Sequence, residues 1–202
     1  MVCKNIIFDI GNVLLSFKPL EHLKTKIIDP DKASEIYKQV FLSEEWLMLD
    51  RGTITEEEAI NALAGRNPQN GHWIRLAFEN WYDILTPIED NINIARDLKA
   101  AGYNIYYLSN FQSLAFDNIT RRYDFFKLFD GGIVSFKEKL IKPEEGIYKR
   151  LLEEYRLLPE ESVFIDDTQV NIEAAAKLNF KTILFTGAED LRKKLKAYGI
   201  CF

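Results

Sequence analysis

Polar side chains follow three short apolar segments of this 202-residue chain. Asp9 follows the run NIIF, the pair Ser109-Asn110 ends the run YNIYYLSN, and the pair Asp166-Asp167 ends the run SVFIDD. In open parallel sheets, ligands bind outside the carboxyl ends of the strands. If these segments are neighbouring parallel strands, their polar ends share one edge of a sheet. Three carboxylates there would form a hard oxygen cluster of the kind that suits Mg²⁺.

A cation completes this set of residues. Lys142 stands at the entrance to a later helical pattern, directly before Pro143. Its charge, with the donors of Ser109 and Asn110, matches what the oxygens of a phosphate need. The combination predicts phosphoryl chemistry with an aspartate nucleophile, in which Mg²⁺ and Lys142 neutralise the repulsion between two anions.

Each of these residues also has a purely structural interpretation. The polar residues at the later strand ends are of the types that cap helices or form turns, and Lys142 has a second interpretation as a solvated loop residue. Asp9 is harder to explain in this way, because no helix begins in the following IGNVLL for it to cap. Considered singly, the residues favour the structural interpretation, whereas together they favour a site.

The elements that would position these residues alternate along the chain. Helical patterns lie between the apolar segments, with Pro143 at the start of one and Gly102 at the end of another. Strands that alternate with helices imply right-handed parallel crossovers. We therefore predict an α/β fold with a three-layer, Rossmann-like parallel sheet. The predicted strands lie in residues 5–15 (broken at Gly11-Asn12), 103–110, 131–136, 162–167 and 181–187.

One span interrupts this alternation. Residues 16–85 contain several helical patterns and no convincing strand, which predicts a small α-helical cap inserted after the first strand. Residues 1–15 and 86–202 would then form the core. Helix starts are indicated at Asp29, which precedes Pro30, and at Thr55, where Glu58 completes a capping box. Three tryptophans of this span are expected to be packing residues: Trp46, Trp73 and Trp81.

Composition limits the possible partners. The net charge is -5 with interspersed basic residues, so we expect neither nucleic acid nor a membrane as a partner, but a small phosphorylated substrate. Cys3 and Cys201 lack metal-ligand spacing, and we expect neither a disulfide framework nor a zinc site. No signal peptide or membrane span is predicted, so a cytoplasmic location is expected. A monomer is expected as well.

Four segments together resemble the motifs of the haloacid dehalogenase-like hydrolase superfamily. They are FDIGNVL, YYLSN, IKPEEGIY and VFIDDTQVNIEAA, in the same order and spacing, and the resemblance covers essentially the whole chain. The first motif is most similar to that of bacterial phosphatases with a small helical cap that act on α-D-glucose-1-phosphate.

The resemblance implies a role for each matched residue. Asp9 would be the nucleophile and a Mg²⁺ ligand, the backbone carbonyl of Gly11 a second ligand and Asp167 a third. Asp166 would orient a metal-bound water. The remaining matches would hold the phosphoryl oxygens (Ser109, Asn110), stabilise charge on nucleophile and phosphate (Lys142) or support the loop (Asn171).

Most phosphatases of this superfamily carry a general acid two residues after the nucleophile, where this chain has Gly11. A positioned acid is worth about 10²–10⁴-fold in rate, so its absence favours substrates with acidic leaving groups such as sugar-1-phosphates. The alternative is a catalytically weak relative that binds a phosphorylated ligand or a partner protein as a sensor. His22, His72 and Arg51 are possible substrate contacts in the cap, but a surface or structural role is preferred for each.

Overall fold

The computed structural model describes residues 3–202. The strands in this range are β1 (Asn5–Phe8), β2 (Leu15–Ser16), β3 (Thr86–Pro87), β4 (Asn104–Ser109), β5 (Gly131–Val134), β6 (Ser162–Asp166) and β7 (Lys181–Leu184). Five of them form a central parallel sheet in the order β5-β4-β1-β6-β7. Phe8 at the end of β1 is paired with Tyr107 on one side and with Ile165 on the other.

Helices make up most of the remaining chain. They are α1 (Pro19–Lys26), α2 (Pro30–Phe41), α3 (Glu44–Arg51), α4 (Glu56–Arg66), α5 (Gly71–Phe78), α6 (Glu89–Ala100), α7 (Ser113–Arg122), α8 (Ser135–Glu138), α9 (Glu145–Tyr155), α10 (Gln169–Lys177) and α11 (Ala188–Ala197). Short 3₁₀ helices span Pro68–Asn70, Trp81–Ile84, Asp124–Leu128 and Pro159–Glu161.

Both faces of the sheet are covered, as continuous apolar strands require. Successive residues of a strand point to opposite faces. Ile6 and Phe8 of β1 belong to one apolar cluster with residues of α6, α7 and α11, whereas Ile7 belongs to a second cluster with residues of α9 and α10. The sheet with a helical layer on each face confirms the predicted three-layer α/β fold.

Helices α1–α5 form the segment between β2 and β3, and local capping explains where two of them begin. Asp29 Oδ1 accepts a hydrogen bond from the Asp31 N–H at 2.9 Å at the start of α2. Thr55 and Glu58 form a reciprocal capping box at the start of α4. Trp46 and Trp81 are buried with their ring centroids 5.0 Å apart, and Trp73 is partly buried against the same cluster.

The structure differs from the sequence expectation at several element ends: β1 ends at Phe8, before the break expected at Gly11-Asn12, and β7 ends at Leu184 rather than at residue 187. Ser16 lies in a strand, because β2 and β3 pair antiparallel as a two-residue ribbon where the helical segment leaves and rejoins the sheet. β5 ends at Val134, since Ser135 begins the helical turn α8. Helix α9 begins at Glu145, two residues after Pro143. Within residues 3–202 no helix combines the length and the apolar composition needed to cross a membrane.

Candidate active site

Three of the candidate residues meet at the carboxyl edge of the sheet. Asp9 directly follows β1, Ser109 ends β4 and Asp166 ends β6. The Asp9 N–H donates to the carbonyl of Ile165 at 2.8 Å, so the parallel pairing of β1 and β6 continues up to this point. All three side chains are buried. Because β1 lies between the other two strands, Asp9 is at the centre of the group.

Lys142 bridges two of these carboxylates. Its Nζ lies 2.8 Å from Asp9 Oδ1 and 2.6 Å from Asp166 Oδ2, and the ammonium is almost completely buried. The Ser109 hydroxyl donates to Asp9 Oδ1 at 2.6 Å. One buried cation faces two buried acids, so this group keeps an excess negative charge that a divalent cation would compensate.

The electrostatics of Asp9 and Lys142 reflect this close packing. Burial raises the pKa of Asp9 to about 6, an effect that Lys142 opposes and that the charge of Asp166 reinforces. Burial lowers the pKa of Lys142, but the charges of Asp9 and Asp166 outweigh it and the pKa lies above its ordinary value. The ammonium therefore stays protonated at neutral pH and is available to an anionic ligand.

The acidic cluster has the composition of a magnesium site. Carboxylate oxygens of Asp9, Asp166 and Asp167 lie within 4.8 Å of one another. Both oxygens of Asp166 already accept hydrogen bonds, from Lys142 Nζ and from the Thr168 N–H at 2.8 Å. Among residues 3–202, by contrast, nothing donates to Asp9 Oδ2, and Asp167 is partly exposed. An all-oxygen donor set with these free positions fits Mg²⁺.

Two asparagines hold the charged residues in place. Asn110 Oδ1 accepts from the Lys142 N–H at 2.7 Å, and its Nδ2 donates to the Lys142 carbonyl at 3.0 Å. Asn171 Nδ2 donates to Asp166 Oδ1 at 3.0 Å. The Asn110 side chain thus orients Lys142, and one N–H of its amide is left for a ligand.

A pocket opens at Gly11, two residues after Asp9. No atom lies within 4 Å of the position that a Cβ would take there, and the backbone is outside the left-handed region. Four of its nine lining residues are aromatic. The lining residues are Gly11, Phe17, Trp46, Asp50, Trp81, Leu85, Asn110, Phe111 and Gln112.

Sequence reasoning missed two polar residues of this pocket, Asp50 and Gln112. Gln112 is buried, and its Nε2 has no hydrogen-bond partner in the described part of the chain. Asp50 is partly exposed near the end of α3. The sequence around Asp50 and Gln112 does not indicate that they line a pocket, since both look like ordinary polar residues next to a helix end.

Arg51, His22 and His72, which were considered as possible substrate contacts, do not line the pocket at Gly11. Arg51 makes two hydrogen bonds to Glu144, with Nη2–Oε1 at 2.5 Å and Nη1–Oε2 at 3.0 Å. His22 lies on α1, where burial lowers its pKa, and the His72 ring lies tilted by 43° beside the Trp73 ring on α5. Neither histidine is among the residues that line the pocket at Gly11.

The chain is similar in sequence to two fungal proteins. The sesquiterpene phosphatase astK of Aspergillus oryzae is 27% identical over 172 residues, covering 85% of this chain and 84% of the relative. The drimenol cyclase drtB of Aspergillus calidoustus is 25% identical over 198 residues, and the match covers 94% of this chain but 35% of that protein.

Solved structures share the fold. A HAD family enzyme from Bacteroides thetaiotaomicron superimposes with a TM-score of 0.76 at 22% identity, covering 96% of this chain and 99% of that chain. A complex of that enzyme with magnesium and inorganic phosphate gives a TM-score of 0.71 at 23% identity, over 91% and 94% of the two chains. Residues 3–179 match the haloacid dehalogenase-like hydrolase family, and the chain therefore belongs to that family of hydrolases.

Proposed function

We propose that this hydrolase is a Mg²⁺-dependent phosphatase that cleaves a small phosphate monoester through an aspartyl-phosphate on Asp9. One observation carries the proposal: Asp9 lies in hydrogen-bond contact with Lys142 and Ser109 and within reach of Asp166 and Asp167. A protein that only binds phosphate would not require a carboxylate nucleophile beside these groups. The phosphatase among its relatives and the magnesium and phosphate complex of a structural neighbour support it.

Each residue of the site has its own role in the proposed reaction. Mg²⁺, held by Asp9, Asp167 and the Gly11 carbonyl, would offset the negative charge of the phosphate. An oxygen of Asp9 attacks phosphorus while the bond to the leaving oxygen breaks. Water then attacks the same phosphorus, the bond to Asp9 breaks, and inorganic phosphate leaves. Lys142, Ser109 and the free N–H of Asn110 would hold the phosphoryl oxygens, while Asp166 would orient water.

For the substrate we propose a phosphorylated sugar, in particular a sugar-1-phosphate. The rings of Phe17, Trp46 and Trp81 would pack against the faces of the sugar, and the unpartnered amide of Gln112 would donate to a hydroxyl. The same apolar lining favours a second candidate, a prenyl phosphate, because burial of hydrocarbon there is favourable. The sesquiterpene phosphatase among the relatives supports this second candidate.

Release of inorganic phosphate from a panel of esters tests the proposal. The panel contains hexose-1-phosphates, hexose-6-phosphates and prenyl phosphates, each with Mg²⁺ and with EDTA. We expect Mg²⁺-dependent turnover that Asp9→Asn abolishes, while Asp117→Asn, the same change at an exposed residue, leaves it intact. Tight ligand binding without phosphate release would identify the sensor alternative instead.

A further inference from the structure

The absence of an acid at Gly11 leaves one step of the proposed reaction without a proton donor. We expect the leaving oxygen to depart on the side of the pocket at Gly11, because this pocket is lined by Gly11, two residues after Asp9, and by Asn110, the residue after Ser109. A replacement donor must therefore line this pocket, carry a proton at neutral pH and be free to move it to the substrate.

Asp50 meets the requirement of position. It is the one titratable side chain among the described residues that line the pocket. Its carboxyl group makes no hydrogen bond and no ion pair within residues 3–202, although the side chain is mostly enclosed. A partly exposed carboxyl group that is engaged by no other residue is free to contact a group bound in the pocket.

The backbone around Asp50 is hydrogen-bonded to the core, which holds this residue at the wall of the pocket. The Ser135 hydroxyl donates to the Asp50 carbonyl and accepts from the Phe111 N–H at 2.9 Å. Lys139 Nζ donates to the carbonyl of Gly52. With the pairing of Arg51 to Glu144, three consecutive residues of the helical segment are held against the core.

We propose that Asp50 is the general acid and base of the reaction, in place of the acid absent at Gly11. This inference rests on the phosphatase function proposed above. As Asp9 attacks phosphorus, the protonated Asp50 gives its proton to the leaving oxygen, which departs as an alcohol. The Asp50 carboxylate then takes a proton from water as that water attacks phosphorus, which frees Asp9 and restores the proton on Asp50.

The surroundings of Asp50 agree with a protonated carboxyl. Burial raises its pKa to about 7, and the negative charge of Asp9 adds to this effect while Lys142 opposes it. Asp9 and Lys142 are the charged groups that face it from the core, since Arg51 is engaged by Glu144. A group that titrates near neutral pH is suited to both giving and taking a proton.

The test compares Asp50→Asn, Asp50→Glu and Asp117→Asn on p-nitrophenyl phosphate and on alkyl phosphates, with the phosphoenzyme measured after rapid quenching. We expect Asp50→Asn to lose about 10²–10⁴-fold in kcat on alkyl phosphates and far less in phosphoenzyme formation from p-nitrophenyl phosphate. The phosphoenzyme should accumulate, because its hydrolysis loses the base. Asp50→Glu should retain part of the activity, and Asp117→Asn all of it.

A second variant separates a proton-transfer role from a structural one. Gly11 has open space around a Cβ position, so Gly11→Asp in the Asp50→Asn background should restore alkyl phosphate hydrolysis. Equal losses on all esters with no phosphoenzyme accumulation and no rescue would overturn the inference, as would an unchanged Asp50→Asn. In either case Mg²⁺-dependent activity that requires Asp9 would leave the proposed function standing, whereas its absence in the parent protein would remove both.

Discussion

Replacement of Asp50 by Asn should stabilise the Mg²⁺-free protein at alkaline pH. The pKa of Asp50 rises from 3.8 to about 7, so the folded state binds the proton more tightly than the unfolded state does. A shift of about 3 units at 1.36 kcal/mol each is about 4 kcal/mol. Because the side chain is partly exposed and water screens its charge, we expect about half of this value.

The direction of this pH dependence determines the two pH values at which unfolding is measured. Below about pH 4 Asp50 is protonated in both states and its charge has no cost, and the cost grows as the pH rises through about 7. Urea unfolding with EDTA at about pH 5 and about pH 8 should therefore show a larger gain for Asp50→Asn at the higher pH. Asp117→Asn should gain nothing at either pH. An equal free energy of unfolding for Asp50→Asn and the parent at about pH 8 would refute the reasoning.

Three further changes have expected outcomes. Asp167→Ala should raise the Mg²⁺ concentration for half-maximal activity by about 10-fold or more, and an unchanged requirement would remove Asp167 from the metal site. Gly52→Ala should lower the free energy of unfolding in urea by about 2 kcal/mol, because Gly52 has a φ of 71° and the new Cβ would lie 2.6 Å from the Phe136 carbonyl oxygen. The control Gly65→Ala, which has nothing within 4 Å of its new Cβ, should be neutral or stabilising, and equal effects of the two changes would contradict this. Lys142→Met should destabilise by about 3–5 kcal/mol at about pH 8 and by less at about pH 5, where protonation relieves the unpaired acids, and a pH-independent loss would argue against the buried ion group.

Local sequence signals predict the parts of the fold that neighbouring residues determine. Thr55 and Glu58 determine a helix start within four residues, and the apolar strand segments need only their own composition and punctuation. The polar strand ends could be predicted to meet because parallel strands share one carboxyl edge. The predicted start of α9 at Pro143 was wrong: proline is favoured at the first position of a helix, but this helix begins at Glu145.

Residues whose positions depend on long-range packing could not be predicted. Asp50 reaches the pocket because Arg51 pairs with Glu144, 93 positions later in the chain, and because Ser135 holds the Asp50 carbonyl. No pattern within the helical segment encodes either contact. The roles of Asp9, Lys142 and Asp167 stay predictions, although the structure brings their side chains to one edge.

We expect the three consecutive contacts at Asp50, Arg51 and Gly52 to affect product release as well. The helical segment also joins the sheet through the ribbon of Leu15–Ser16 and Thr86–Pro87, and we expect this ribbon to be the hinge about which the segment opens. Opening about this hinge must break the Arg51–Glu144 ion pair, and the side chains of this pair are partly exposed. Added salt weakens such an ion pair. The Arg51–Glu144 pair, which helps to hold Asp50 at the pocket, should therefore make turnover sensitive to ionic strength whenever opening of the helical segment limits the rate.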